Sequence, residues 1–379
     1  MDFELSEDQQ MMRDMARDFA QKELLPIARK LDEECIWPTD ILKKMGQLGF
    51  LGMTLPEEYD GAEMDPVSYA LAIEEISRGD ASCGAIMSIH NSLVGELILK
   101  YGTEDQKSCF LPQLARGQIL GCFALTEPGA GSDAGSITTA AVEDGDSYVL
   151  NGTKIFISGA AYADLVILFA STDRTKGSKG ISVFIIPKGT PGLEVGTVEH
   201  KMGLNASGTS ELVLTDCRVS KELLLGQRDN GFKIALAGFD AGRIGIASQS
   251  VGIARGALEE SIEYAKQREQ FGKTISSFQA VQWMIAEMAT QIDAARLLYL
   301  RAAHVKSQGK RFSKEAAMAK LFASETCVNA TRLAVQVHGG YGYMKEYAVE
   351  RYYREAKITE IYEGTSEVMK MIISAALLA

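Results

Sequence analysis

The hydrophobic period of the chain changes twice, and this constrains its fold more than any other feature. Over residues 1–120 apolar side chains recur at helical spacing. Between 121 and 225 short β-branched and aromatic runs replace them, and from Gly231 almost to the end the helical period returns. Helices and strands bury apolar side chains on different repeats, so such a chain has to place a β module between two helical regions. In the first region Ser6 and Gln9 form a capping box ahead of Met12, Met15 and Phe19, which read as core packing. Pro26 breaks or bends that run. Asp65-Pro66 supplies an N-cap and a first-turn proline for an apolar helix through Ile76. Thr103 and Gln106 form a second box, with Cys109 and Phe110 opening the apolar side and an end before Gly117.

In the middle region Asp144-Gly145 and Asn151-Gly152 are hairpin-turn dipeptides flanking residues 148–150. Residues 165–169, 181–186 and 211–214 read as further strands. No helical run intervenes, which argues for an antiparallel barrel or sandwich. Residues 247–264, 278–308 and 313–337 then form long amphipathic runs, as in a helical bundle. The expected architecture is α+β: an N-terminal helical domain over 1–120, a middle antiparallel β domain over 121–225, and a C-terminal four-helix-bundle domain over 226–379.

At 379 residues the chain is long enough for two or three domains, and 46% apolar with 23% charged residues is ordinary for a globular protein. A formal net charge of −11 opposes a nucleic-acid partner but leaves room for an anionic cofactor held by local basic residues. Cys35, Cys83, Cys109, Cys122, Cys217 and Cys327 are scattered without a Cys-x-x-Cys, which reads as reduced thiols. His90, His200, His304 and His338 show no ligand spacing, so no metal is expected. The acidic start, Met1-Asp-Phe-Glu-Leu, resembles neither a signal nor a transit peptide, and no apolar run reads as a membrane span. The expectation is a cytoplasmic protein without membrane insertion, with a matrix-like compartment as the alternative.

Chemistry concentrates near the C-terminal end, in Ile-Thr-Glu-Ile-Tyr-Glu-Gly-Thr-Ser at residues 358–366. Glu363 stands between the ring of Tyr362 and Gly364, while Thr365 and Ser366 look like N-cap residues for a helix beginning near Glu367. A carboxylate against an apolar wall is a candidate general base, because desolvation raises its proton affinity; a solvated turn glutamate is the alternative. Four further stretches stand out. Phe123-Ala124-Leu125-Thr126-Glu-Pro-Gly-Ala-Gly131-Ser132 joins a strand to a glycine-rich loop that lacks the Rossmann setting. Phe156-Ile157-Ser158 follows the Asn-Gly pair and by itself reads as an edge strand. Asp240-Ala241-Gly242-Arg243 reads as a helix start with a local ion pair. Arg268, Phe271 and Gln279, with Gln336-Val337-His338-Gly339-Gly340, combine a guanidinium suited to pyrophosphate with glycines that let backbone approach a ligand.

Taken together these stretches resemble the acyl-CoA dehydrogenases along essentially the whole chain, with Ile-Tyr-Glu-Gly-Thr-Ser-Glu as the most specific motif; the nearest branch is the short-chain, butyryl-CoA type. The resemblance implies an FAD enzyme of the same three-domain fold that dehydrogenates a short acyl-CoA and passes electrons to an electron-transferring flavoprotein. It makes Glu363 the α-proton base. It assigns the flavin to residues 123–126, Gly131, Ser132, 156–158 and Thr365, Ser366 and Glu367. The distal part of FAD falls to Arg268, Phe271, Gln279 and 336–340, reaching from a neighbouring subunit of a homotetramer built as a dimer of dimers. Acyl-CoA falls to Ser132, residues 240–243, Tyr362 and Gly364. Relatives that keep their base before the helix arginine would need a Glu where Gly242 stands. Glutaryl-CoA relatives carry an Arg where Gly84 stands, and some relatives for cyclic thioesters place an Asp near Asn91. The alternatives are a dehydrogenase of a cyclic or branched acyl-CoA and a non-enzymatic, DNA-associated member of the fold.

Overall fold

The computed structural model describes residues 4–378. Its first region is helical: α1 (Glu7–Phe19), a π-helical turn (Ala20–Leu24), α2 (Ala28–Glu33), α3 (Thr39–Gln47), α4 (Pro66–Gly79), α5 (Ala81–Ser88), a π segment (Ile89–Gly95), α6 (Glu96–Tyr101) and α7 (Glu104–Ala115). Both capping boxes form, and the Asp65 side chain accepts from Val67 and Ser68 N–H at the start of α4. Met12 and Phe19 lie in the core. On α7 the apolar side is the expected one only in part, with Phe110 packed against the core. Gln106, Leu111, Leu114 and Ala115 are inside and Cys109 is exposed. The Gln106 amide donates to the Glu222 and Leu224 carbonyls, which satisfies its buried polar group on that side of the helix. Residues 81–101 also correct the expectation about membrane spans. This continuous helical run of 21 residues is long and apolar enough to cross a bilayer, yet its apolar window is 83% buried inside the protein, as a core helix.

The middle region is one eight-stranded sheet with the order β6-β7-β3-β2-β4-β5-β8. The strands are β1 (Gly121–Ala124), β2 (Ala140–Asp144), β3 (Ser147–Ile157), β4 (Leu165–Ser171), β5 (Ile181–Pro187), β6 (Leu193–Val198), β7 (Ser210–Ser220) and β8 (Leu224–Leu225). The sheet is mixed and not wholly antiparallel: β1 pairs β4 in parallel, because the β2–β3 hairpin supplies the crossover between them. Asp144-Gly145 does make a tight turn between β2 and β3. Asn151-Gly152 does not; it lies inside β3, where the pairing with β7 slips between Leu150 and Gly152. Glycine is required there because a Cβ would stand 2.7 Å from Thr139 Cα.

The last region holds α8 (Gly231–Gln267), a small hairpin of β9 (Glu269–Gln270) and β10 (Lys273–Thr274), then α9 (Gln279–Ser307), α10 (Ser313–His338), α11 (Ala348–Ala356) and α12 (Ser366–Leu378). Three long helices, α8, α9 and α10, pack pairwise; α11 lies on α8 and α10, α12 on α10, and α4 closes the far side against α8 and α9. One apolar core therefore runs from Leu71 and Ala85 through Val251 and Met288 to Ala323 and Tyr352. Helix α8 begins at Gly231, far ahead of the periodic run at 247, so residues 239–243 lie within a helix and not at its start. Glycines at 238, 242 and 245 hid it by weakening local helix propensity. They are there because neighbours press close: a Cβ on Gly245 would stand 2.2 Å from Ser88 Oγ.

Candidate functional site

Glu363 sits in the loop between α11 and α12 with φ +52°, a left-handed conformation that non-glycine residues rarely adopt. Gly364 follows at φ +104°, and Thr365 caps α12 by accepting from the Val368 N–H at 3.3 Å. This geometry turns the Glu363 carboxylate onto α8, directly over Gly242. A Cβ on Gly242 would lie 2.0 Å from Glu363 Oε2, so the missing side chain at 242 is the space the carboxylate occupies. Oε2 is buried and has no hydrogen-bond partner among the described residues. Burial pushes the Glu363 carboxyl up to about 7, against the opposing pull of Arg243 and Lys320. The enclosed Oε2, with the residue only half-buried overall, sets Glu363 apart from the solvated-turn alternative. The Glu363 N–H also donates to no described residue, leaving a free donor beside the carboxylate.

The loop is held from both sides. Arg243 is buried, reaches Glu363 O with Nε at 3.4 Å, and forms an ion pair with Asp240 at 2.8 Å. Asp240 also accepts from the Ser313 hydroxyl. Lys320 Nζ donates to Gly364 O at 2.6 Å, and the Tyr362 hydroxyl donates to Gln249. A cavity of about 450 Å³ opens beside Asp240 and Ala241, rimmed by Lys100, Lys306, Lys310 and Arg311.

The glycine-rich loop approaches this site through Phe123, whose ring meets Phe239 of α8 at 5.5 Å; the Arg243 guanidinium lies 5.9 Å from that same ring. The side chains of Ala124, Leu125 and Ile157 are buried in the core, so any contact these residues make with a ligand is through backbone. Gly131 and Ser132 are exposed, and Thr126 and Ser158 half-buried. Phe156 is 62% exposed and sits at φ +59°, an outward aromatic held in a strained backbone. Gly84, in contrast, packs on α4, where a Cβ would meet Ser77 at 2.0 Å, and the Asn91 amide is occupied with the Phe50 and Met87 carbonyls.

A separate groove of about 500 Å³ gathers Arg268, Val337, His338, Gly339 and Gly340. A Cβ on Gly339 or Gly340 would meet no described residue within 4 Å, so this edge of the groove is open. Gln279 is exposed at the first turn of α9, Gln336 is exposed on α10, and Phe271 is 92% exposed on the β9–β10 turn. The glycine edges, the outward Phe156 ring and the guanidinium suit a planar ring system and a pyrophosphate, and so fit a flavin dinucleotide. The two places are far apart. Phe239 lies near the start of α8 and Arg268 caps its C-terminal end, roughly 40 Å along the helix at the rise of an α-helix.

Sequence reasoning missed the device that holds the glycine-rich loop. Glu127 accepts from Thr138 N–H at 2.6 Å and Thr139 N–H at 2.9 Å, and pairs with Lys154 at 2.7 Å; Lys154 also donates to Leu125 O. Both side chains are buried. The available signal was a lone lysine, the single charged residue of β3. Lys320 was missed for the same reason, as a single lysine on the alanine-rich face of α10.

Comparison with known proteins gives a consistent set of relatives. Sequence models for the N-terminal, middle and C-terminal domains of acyl-CoA dehydrogenase match residues 6–118, 122–217 and 229–378. The chain is similar to the mitochondrial short-chain specific acyl-CoA dehydrogenase of Rattus norvegicus, 51% identical over 99% of this chain and 91% of that one. Among solved structures it resembles butyryl-CoA dehydrogenase from Megasphaera elsdenii, at 45% identity, TM-score 0.98 and complete coverage of both chains. It also resembles a chain in the structure described as electron transferring flavoprotein of Acidaminococcus fermentans, at 51% identity, TM-score 0.99 and complete coverage of both.

Proposed function

The chain belongs to the acyl-CoA dehydrogenase family, and from that premise we propose that Glu363 is the base that takes the α-proton of a short-chain acyl-CoA, butyryl-CoA in the first instance. The protein is an oxidoreductase that dehydrogenates acyl-CoA, uses FAD and works with an electron-transferring flavoprotein. The observation that carries the assignment is the unpaired, desolvated carboxylate of Glu363 over the bare Gly242. With its proton affinity brought near neutrality by burial, it accepts a proton at physiological pH and remains basic enough to take one from carbon.

Bound FAD supplies the acceptor for the β-hydrogen as hydride. The chain's own residues do the rest. The free Glu363 N–H is placed to donate to the thioester carbonyl, which acidifies the α-carbon. Arg243 and Tyr362 fix the wall against which the acyl chain lies, and thioester entry expels water from around the carboxylate, raising its basicity further. The Lys100, Lys310 and Arg311 rim suits the anionic CoA end. Gly84 packs against Ser77, which leaves no room for a carboxylate-binding arginine and disfavours a dicarboxylyl substrate.

The length of α8 bears on assembly. One dinucleotide does not span the roughly 40 Å between Phe239 and Arg268, which supports the reading that the Arg268 groove serves the cofactor of another subunit. The reading is a homotetramer built as a dimer of dimers. The decisive experiment is anaerobic flavin bleaching by butyryl-CoA. Glu363→Gln is expected to slow it about 10²- to 10⁴-fold with flavin content intact. Bleaching near the wild-type rate places the base elsewhere. Glutaryl-CoA and octanoyl-CoA serve as comparison substrates and are expected to turn over more slowly.

A further inference from the structure

Lys320 lies on α10 beneath the loop that carries Glu363, with 0% of its surface exposed. It makes no ion pair among the described residues; its one hydrogen bond goes to the Gly364 carbonyl at 2.6 Å. Keeping an ammonium out of water without a carboxylate is costly, so a fold retains one there only where something nearby gains. The gain is in the loop. Arg243 from α8 reaches the carbonyl of Glu363 and Lys320 from α10 grips the next one, at the two consecutive residues with φ of +52° and +104°. A left-handed glutamate persists only when its surroundings hold it.

We propose that Lys320 is a positioning residue for the base: by holding the Gly364 carbonyl it fixes the backbone that aims the Glu363 carboxylate over Gly242, and its charge faces that same carboxylate. This rests on Glu363 being the base. The electrostatics run the same way. Burial raises Glu363, and Arg243 and then Lys320 pull it back; burial in turn brings Lys320 down to about 8, with Glu363 holding it up. The other charged or titratable groups facing the pair are Asp240, committed to Arg243, Tyr362 in the loop, Tyr69 on α4, and Glu360 and Glu367 on either side of the loop.

The test uses the FAD-loaded full chain and three substitutions. Lys320→Gln keeps a donor for Gly364 without the charge, Lys320→Met removes both, and Lys320→Arg keeps both. Without the cation the Glu363 carboxylate is harder to form, so in Lys320→Gln the acidic limb of kcat/KM moves to higher pH, by about tenfold in proton affinity. Lys320→Met also lowers kcat by about 10- to 100-fold with KM little changed, because the carboxylate is no longer aimed. Lys320→Arg returns the limb towards wild type. Infrared titration of the Glu363 carboxyl in the resting enzyme, assigned by its absence in Glu363→Gln, should shift with the limb. An unshifted limb and carboxyl titration in folded, flavin-replete Lys320→Gln overturn the proposal, and if Lys320→Met does not fold the Gln variant decides. Should Glu363→Gln bleach normally, the base assignment fails on its own, while the infrared titration still reports whether Lys320 acts on Glu363.

Discussion

A buried base has a consequence for stability that can be measured without any substrate. Glu363 is raised from an ordinary 4.5 to about 7, with burial as the cause. Above pH 7 the folded protein must hold an ionised carboxylate out of water, whereas the unfolded chain ionises freely. The folded state therefore carries a penalty that is complete above the folded value and absent below the unfolded one. At about 1.4 kcal/mol per tenfold in proton affinity the penalty is about 3 kcal/mol at pH 8. Glu363→Gln removes the charge and keeps the shape. Its unpaired amide costs about 1–3 kcal/mol of its own, a cost that does not vary with pH. The variant should therefore gain on the wild type by about 3 kcal/mol between pH 4.5 and pH 8, whatever the constant offset between them. The assay is thermal melting of both proteins across that range, with FAD in equal excess so that cofactor occupancy does not differ. A difference in melting temperature that stays flat from pH 5 to pH 8 would refute the argument, because it would mean that the carboxylate is not desolvated in the resting protein.

Three other outcomes follow from the same geometry. Gly242→Glu should abolish activity, since its side chain enters the space of the Glu363 carboxylate, and adding Glu363→Gly should restore part of it; a fully active single variant would show that the carboxylate lies elsewhere. Lys154→Met strands Glu127 as a buried uncompensated charge and should cost about 3–5 kcal/mol, read by melting, together with loss of bound flavin. Lys154→Met with Glu127→Gln should recover part of that loss, and an undiminished melting point in the single variant would remove the pair from its role. Arg268→Ala should release flavin and weaken the assembly together, and light scattering showing a flavin-replete monomer would count against the shared site.

Much of the site could be read from residue order because its determinants are local. Thr365 caps α12 through a hydroxyl three residues from its donor, and Tyr362, Glu363 and Gly364 are consecutive, so their juxtaposition needs no long-range contact. The capping boxes at Ser6 and Thr103 and the turn at Asp144-Gly145 formed for the same reason. The errors fell where a distant neighbour overrode a local signal. Asn151-Gly152 carries a hairpin signature, but Thr139 presses on it from across the sheet and makes it a bulge. Residues 231–246 carry a weak helical signature because glycines stand where Ser88 and Glu363 need room.

The sequence by itself determined the alternation of helical and β regions, the residues of the base loop and the absence of a rival carboxylate at 242, since periodicity, caps and residue identity are properties of neighbours along the chain. Only the tertiary structure decided which charges are buried. Arg243 had the sequence of a surface ion pair and is enclosed; Glu127 and Lys154 are separated along the chain and meet in the dry interior; Lys320 reaches Gly364 from another helix. Desolvation depends on everything packed around a group, and no short stretch of sequence contains that information. The proton affinity that suits Glu363 to a base is therefore set by α8 and α10, elements far from it along the chain.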